Sequence, residues 1–195
     1  DERELTMDAE EEERGGKRRK GALSGGRRPN VLVTGTPGTG KSTLAAAVAA
    51  ETGLKLVDVG ARVRDGGLHE GWDEEFKAHI VDEDKVVDAL EQEMSVGGNV
   101  VDYHGCGFFP ERWFDLVVVL QTENGVLYER LAARGYDEKK LRENIECEIF
   151  GVVAEEARES YSAEVVEMVS SNSEEDLRRN TSVITQWYAT KNQQQ

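Results

Sequence analysis

The sequence predicts an α/β fold, a parallel sheet with helices on both faces, and three observations predict it. Residues 35–42 read Gly-Thr-Pro-Gly-Thr-Gly-Lys-Ser, the GxxxxGK[ST] spacing of a phosphate-binding loop. A β-branched run, Val31-Leu32-Val33, precedes that loop, and an alanine-rich helix follows it without a break. Further along, short apolar runs alternate with segments of helical period.

The first strand is placed at residues 31–34 and the helix after the loop at 41–52. A second strand falls at residues 55–59. Residues 60–81 carry no clear period and read as irregular or weakly helical. Residues 84–95 read as a helix, with Val86, Val87, Leu90 and Met94 on its apolar stripe. Strands follow at 99–103 and 116–121, the latter an unbroken apolar run of the kind buried on both faces. Helices are expected at 122–133 and, as one long element, at 137–161, striped by Leu141, Ile145, Ile149, Val153 and Ala157. A fifth strand at 165–169 and a helix at 173–189 close the domain; Ser173 and Asp176 open that helix as a capping box.

A chain of 195 residues with 38% hydrophobic side chains suffices for one domain with a sizeable core. No apolar run approaches membrane-spanning length, and the charged N-terminal stretch does not read as a leader. The two cysteines, Cys106 and Cys147, form no CxxC pair, which suits a reducing compartment and argues against structural zinc. Charge is uneven. Residues 1–28 balance eight acidic against eight basic side chains, so the net −15 belongs to the rest of the chain. Such an acidic body is a poor general nucleic-acid binder; it suits small anions held at a local site, or basic proteins. Residues 1–28 read as a disordered charged arm, 29–190 as the domain and 191–195 as a tail. The basic tetrad Lys17-Arg18-Arg19-Lys20 fits a nuclear import signal, an RNA anchor or a solvated tail.

The loop glycines, Gly38 and Gly40 among them, let backbone N–H groups turn inward around a polyphosphate. Lys41 reaches its outer phosphates and Ser42 offers a hydroxyl to Mg²⁺. Asp102 ends an apolar strand, the place of a metal-holding carboxylate and equally of a turn cap. His104 lies two residues on and fits either a water- or phosphate-orienting role or a structural one. Arg130 and Arg134 share one helix face, to neutralise a phosphoryl group in transit or to complement the helix dipole. Arg62 and Arg64, just after the second strand, stand where an acceptor would bind. No guanine-reading Asn/Thr-Lys-x-Asp motif occurs, which disfavours a Ras-like GTPase.

Together the phosphate loop through Thr43, the segment Val101-Asp102-Tyr103-His104-Gly105-Cys106-Gly107-Phe108-Phe109-Pro110-Glu111-Arg112-Trp113-Phe114-Asp115, and Arg134-Gly135-Tyr136 closely resemble the adenylate kinase isoenzyme 6 family. So do Val126-Leu127-Tyr128-Glu129-Arg130-Leu131 and Asn144-Ile145-Glu146-Cys147-Glu148-Ile149-Phe150. The resemblance runs from about residue 30 to 187 and leaves the arm outside. It implies a P-loop nucleoside monophosphate kinase fold, a five-stranded parallel sheet in the order 2-3-1-4-5. A monophosphate-binding segment would span residues 58–81 and a short lid residues 133–143. It further implies phosphoryl transfer from ATP to AMP or related monophosphates, with ATP hydrolysis beside it and Mg²⁺ as cofactor. A role in small-ribosomal-subunit maturation through a ribosomal protein partner, a monomeric state, and nuclear and cytoplasmic localisation also follow from it.

Mapped onto this chain, the resemblance gives Gly38, Gly40, Lys41, Ser42, Thr43 and Arg134 to ATP, and Arg64 to the monophosphate. Asp102 and His104 match the family's Asp-x-His pair, important for hydrolysis; Ser42 and Asp102 are its metal ligands here. Lys41, Asp102, His104 and Arg134 make up the catalytic set. Three positions depart from the pattern. Ala61 replaces an acidic residue, Gly107 an Asp, and Ser173 stands where some members offer a Lys near adenine.

Overall fold

The structure, a computed structural model, describes residues 27–74 and 78–193. Its centre is a five-stranded parallel sheet built from β1 (Val31–Gly35), β2 (Lys55–Asp58), β5 (Asn99–Asp102), β6 (Leu116–Gln121) and β7 (Val166–Ser170). Across the sheet they run β2-β5-β1-β6-β7, the predicted 2-3-1-4-5 when only these five are counted. β1 is fully buried between β5 and β6, pairing Val33 with Asp102 on one side and Val118 on the other.

Because successive strand residues point to opposite faces, the sheet carries two cores. Leu32, Val101, Val117 and Val119 pack with α3 (Glu83–Val96), α6 (Val152–Ser160) and an aromatic group around Phe109, Trp113, Phe114 and Tyr161. Val31, Val33, Val118 and Leu120 pack with Leu44 and Val48 of α1 (Lys41–Thr52) and Ile184 and Tyr188 of α7 (Glu174–Gln193). The apolar stripe read for α3 is real: Val86, Leu90 and Met94 are buried and Val87 is partly so.

Asn30 knots the end of the sheet remote from the phosphate loop. Its side-chain amide donates to the carbonyls of Met94 and Trp113, both at 2.9 Å, and its oxygen accepts from Asn99 N and Nδ2, both at 3.0 Å. Arg27 and Arg28, assigned from sequence to the arm, are part of this end. Arg27 donates to Trp113 O at 2.7 Å and pairs with Asp115 at 2.8 Å; Arg28 donates to the Tyr188 hydroxyl at 2.8 Å. The rest of the expected arm lies outside the described residues.

Two expectations need correction. The segment read as irregular or weakly helical, 60–81, carries a helix, in line with the second alternative, and also two strands that were not expected. Asp58 caps α2 (Val59–Gly66), and an antiparallel hairpin follows, β3 (His69–Asp73) with β4 (Ala78–Val81). The long helix at 137–161 is two helices, α5 (Glu138–Ile149) and α6, separated at Phe150 and Gly151, where Gly151 takes φ +64°. The stripe does not run through both. α5 buries no residue and Ile149 is 57% exposed, whereas Val153, Ala154 and Ala157 of α6 are in the core. Helix α4 (Asn124–Ala133) and the 3₁₀ turn Glu111–Trp113 complete the fold.

Candidate active site

The carboxyl ends of β1, β2 and β5 open into a cleft of about 1090 Å³, roofed by the start of α5. β1 gives way to the phosphate loop, which folds on itself. Thr36 O accepts from Thr39 N at 3.2 Å, Thr39 Oγ1 at 2.8 Å and Lys41 Nζ at 3.1 Å. Two glycines are required here. Gly38 has φ +98°, and a Cβ on it would stand 2.7 Å from Leu127 Cδ1 and 2.8 Å from Leu131 Cδ2. Gly40 also sits at φ +98°, as the N-cap of α1. No side chain among the described residues caps α1 there, so its first N–H groups are left to an anion.

Lys41 is buried behind this loop. Burial pulls its ammonium down to about 8, with nearby Arg134 adding to the shift and Asp102 and Glu148 opposing it. Asp102, the last residue of β5, is also buried, which raises its carboxyl above the usual range; the Ser42 hydroxyl and Lys41 pull the other way and Asp58 adds to the rise. Asp58 pairs with Asp102 in register across β2 and β5. Both carboxylates line the cleft with Ser42. This oxygen set fits Mg²⁺: the Ser42 hydroxyl, already bonded to Asp102, and a carboxylate would hold it together with phosphates and waters. Among the described residues no group of three or more His, Cys, Asp or Glu could hold a metal ion.

His104 lines the same cleft, its ring 4.3 Å from that of Tyr103. Partial desolvation lowers its pKa first and the Lys41 charge second, while Glu156 opposes them, so the imidazole favours its neutral form. Arg64 lines the cleft beside Asp58 and Gly60. Arg62 does not; it pairs with Glu93 of α3 at 3.2 Å. Arg134 caps α4 at its C-terminus and lies near enough to influence Lys41, though it is not among the residues lining the cleft. Arg130 is turned aside, donating to Ser171 O at 2.8 Å. Thr43 follows Ser42 on the exposed first turn of α1.

Two residues escaped the sequence reading, Asp58 and Ser171. Asp58 is one, a second strand-end carboxylate whose signal was the same as that of Asp102. The roof comes from the segment expected as a lid, where Tyr136, Lys139, Lys140 and Arg142 are interleaved with Asp137, Glu138 and Glu143. Ser171 Oγ donates to Thr39 O at 2.6 Å and ties the β7–α7 turn to the phosphate loop. The departures also gain a physical setting. Ala61 lies outside the cleft, its N–H bonded to Asp58 Oδ1 at 2.8 Å. Ser173 serves as a helix cap, accepting from Asp176 N at 3.2 Å.

The sheet order, the loop and the cleft at the strand ends define a P-loop kinase fold. Solved structures agree on the fold. A shikimate kinase from Acinetobacter baumannii superposes with a TM-score of 0.58 at 18% identity, covering 84% of this chain and 94% of that one. A gluconokinase from Sinorhizobium meliloti gives 0.56 at 17%, covering 86% and 98%. Residues 31–151 match the AAA domain family model. The chain belongs to the adenylate kinase isoenzyme 6 family. It is 49% identical over 160 residues to the Dictyostelium discoideum homolog, covering 82% of this chain and 91% of that one. It is 51% identical over 156 residues to the Caenorhabditis elegans homolog, covering 79% and 86%. The protein is thus a kinase-like nucleotide-binding enzyme, and its fold implies ATP, typically with Mg²⁺.

Proposed function

We propose that the protein transfers the γ-phosphoryl group of Mg²⁺–ATP to AMP, and hydrolyses ATP when water takes the acceptor's place. The observation that carries this is the shared cleft. The Lys41 loop, Asp102, His104 and Arg64 all line one cleft of about 1090 Å³, which supports a donor and an acceptor bound in the same space. Little covalent chemistry is asked of the side chains. Lys41 and the N–H groups of the loop neutralise charge on the phosphoryl oxygens, with Arg134 beside them. Arg64 holds the acceptor phosphate in line. Mg²⁺, when bound through Ser42 and Asp102, would neutralise the remaining charge on the phosphates. A neutral His104 orients the attacking water or the attacking phosphate oxygen of the acceptor. The names of the curated relatives support the adenylate kinase reading. A panel of nucleoside monophosphates, assayed for ADP formation with and without each acceptor, tests it; acceleration by AMP above the others is expected.

A second reading is favoured by the net charge of −15. In it the nucleotide state gates the grip on a basic small-subunit ribosomal protein during maturation of that subunit, in nucleus and cytoplasm, and kinase activity is incidental. Binding of such a protein to the purified chain, compared between ATP and ADP, separates the two readings.

A further inference from the structure

We propose that Glu156 is a positioning residue for His104, holding the loop after β5 in the shape that keeps the imidazole at the cleft. This rests on the reading in which His104 orients the attacking group.

The sheet stops supporting this part of the chain at Tyr103, whose N–H makes a last bond to Val33 O at 3.3 Å. Beyond that point side chains must hold the backbone. Glu156 Oε1 accepts from two successive N–H groups, Cys106 at 3.2 Å and Gly107 at 2.7 Å. The buried Tyr161 hydroxyl donates to Cys106 O at 2.6 Å. Both anchors come from α6 and its end, and α6 is fixed by Val153, Ala154 and Ala157 in the core. The adjoining α5, which roofs the cleft, has no fully buried residue. The loop is therefore fastened to the rigid helix and not to the roof.

Gly107 makes the fastening possible. A Cβ there would stand 2.8 Å from Glu156 Oε1 and 3.1 Å from its Cγ, so a side chain at this position makes the carboxylate shift. Glu156 does not itself line the cleft; besides the charge it presents to His104, it acts through the loop. At the loop's near end Tyr103 stands between His104, at 4.3 Å, and Phe108, at 5.8 Å, so a shift of the 106–107 backbone moves the ring environment of His104.

The test compares the full chain with Glu156→Ala and Glu156→Gln at one fixed pH. Gln keeps an oxygen that can accept both N–H bonds; Ala removes it. The chain has three histidines, so ring signals of His69 and His79 on the β3–β4 hairpin serve as internal controls. In Glu156→Ala the Cys106 and Gly107 amides should exchange at least about tenfold faster and the His104 ring signals should move, with His69 and His79 unchanged. The kcat for ATP turnover should fall roughly ten- to a hundredfold with little change in KM, as expected of a misplaced orienting group. Gln should restore exchange and kcat together, and the His104 signals apart from the part that follows the lost Glu156 charge. If Glu156→Ala does not fold, Gly107→Ala displaces the carboxylate without removing it and should give the same signature. Unchanged amides and His104 signals in a folded variant overturn the inference, as does a Gln variant as impaired as Ala. Absence of ATP turnover in the wild type instead overturns the proposed reaction; exchange and ring shifts then decide by themselves whether Glu156 holds the loop.

Discussion

Asp58 and Asp102 stand opposite each other at the ends of neighbouring parallel strands, and both face the cleft beside Ser42. Asp58 has a second task as N-cap of α2. Asn caps as well as Asp, so Asp58→Asn should fold with unchanged thermal stability. Its loss should appear in the metal dependence: the Mg²⁺ needed for half-maximal turnover should rise by roughly tenfold or more. Magnesium titration of wild type and variant checks this.

Lys41 is held ready for a ligand at a cost to the free protein. Its ordinary value of 10.5 is pulled to about 8 by burial. Below pH 8 the folded state carries a buried charge that the unfolded chain solvates freely. As pH rises from about 8 to 10.5 the folded Lys sheds its proton first and the cost is relieved. Lys41→Met keeps the apolar stem and removes the charge. It should stabilise the nucleotide-free protein by on the order of 2–3 kcal/mol near neutral pH, with the gain fading toward pH 10.5. Denaturant melts at pH 7 and pH 10 measure the difference.

The same group sets the pH dependence of binding. A bound polyphosphate favours the charged ammonium and raises its pKa, so binding takes up a proton once the free Lys41 is neutral. ATP affinity should be flat below pH 8 and then fall, by at most about tenfold per pH unit. Lys41→Arg, which stays charged, should show no such break whatever its absolute affinity. Calorimetric titration between pH 7 and 9.5 in two buffers reads both the affinity and the proton uptake.

The two arginines of α2 should separate cleanly. Arg64 lines the cleft, whereas Arg62 is occupied by Glu93. Arg64→Ala should raise KM for AMP by roughly ten- to a hundredfold through loss of a charged hydrogen bond and leave acceptor-free ATP hydrolysis intact. Arg62→Ala should change neither. Initial rates over an AMP series decide this.

The phosphate loop and its flanking strand and helix were legible because chemistry and period agree there: Gly38, Gly40, Lys41 and Ser42 need one backbone shape, and Val31 to Val33 and Leu44 supply its supports. The sheet order was legible only through the family resemblance. Residues 137–161 misled because an i, i+4 stripe says which residues share a face, not whether a core lies beneath it. α5 leaves Leu141 and Ile145 only half-buried and Ile149 exposed, and Gly151 lets the chain turn before α6. The β3–β4 hairpin was missed because His69-Glu70-Gly71-Trp72-Asp73 lacks the β-branched alternation of a half-buried strand. Within the site, Arg62 and Arg64 looked alike in sequence; only the position of Glu93 on α3 tells them apart. Asp58 was overlooked because its importance comes from register with Asp102, a relation across some forty residues of chain.

The central claim, phosphoryl transfer to a monophosphate acceptor in the Lys41–Arg64 cleft, is tested most directly by ³¹P NMR of the purified protein with Mg²⁺–ATP, with and without AMP, beside Lys41→Ala. Rapid ADP formation that requires AMP and vanishes in the variant is the predicted result. Slow phosphate release indifferent to AMP would contradict it and leave an ATP-hydrolysing switch in its place.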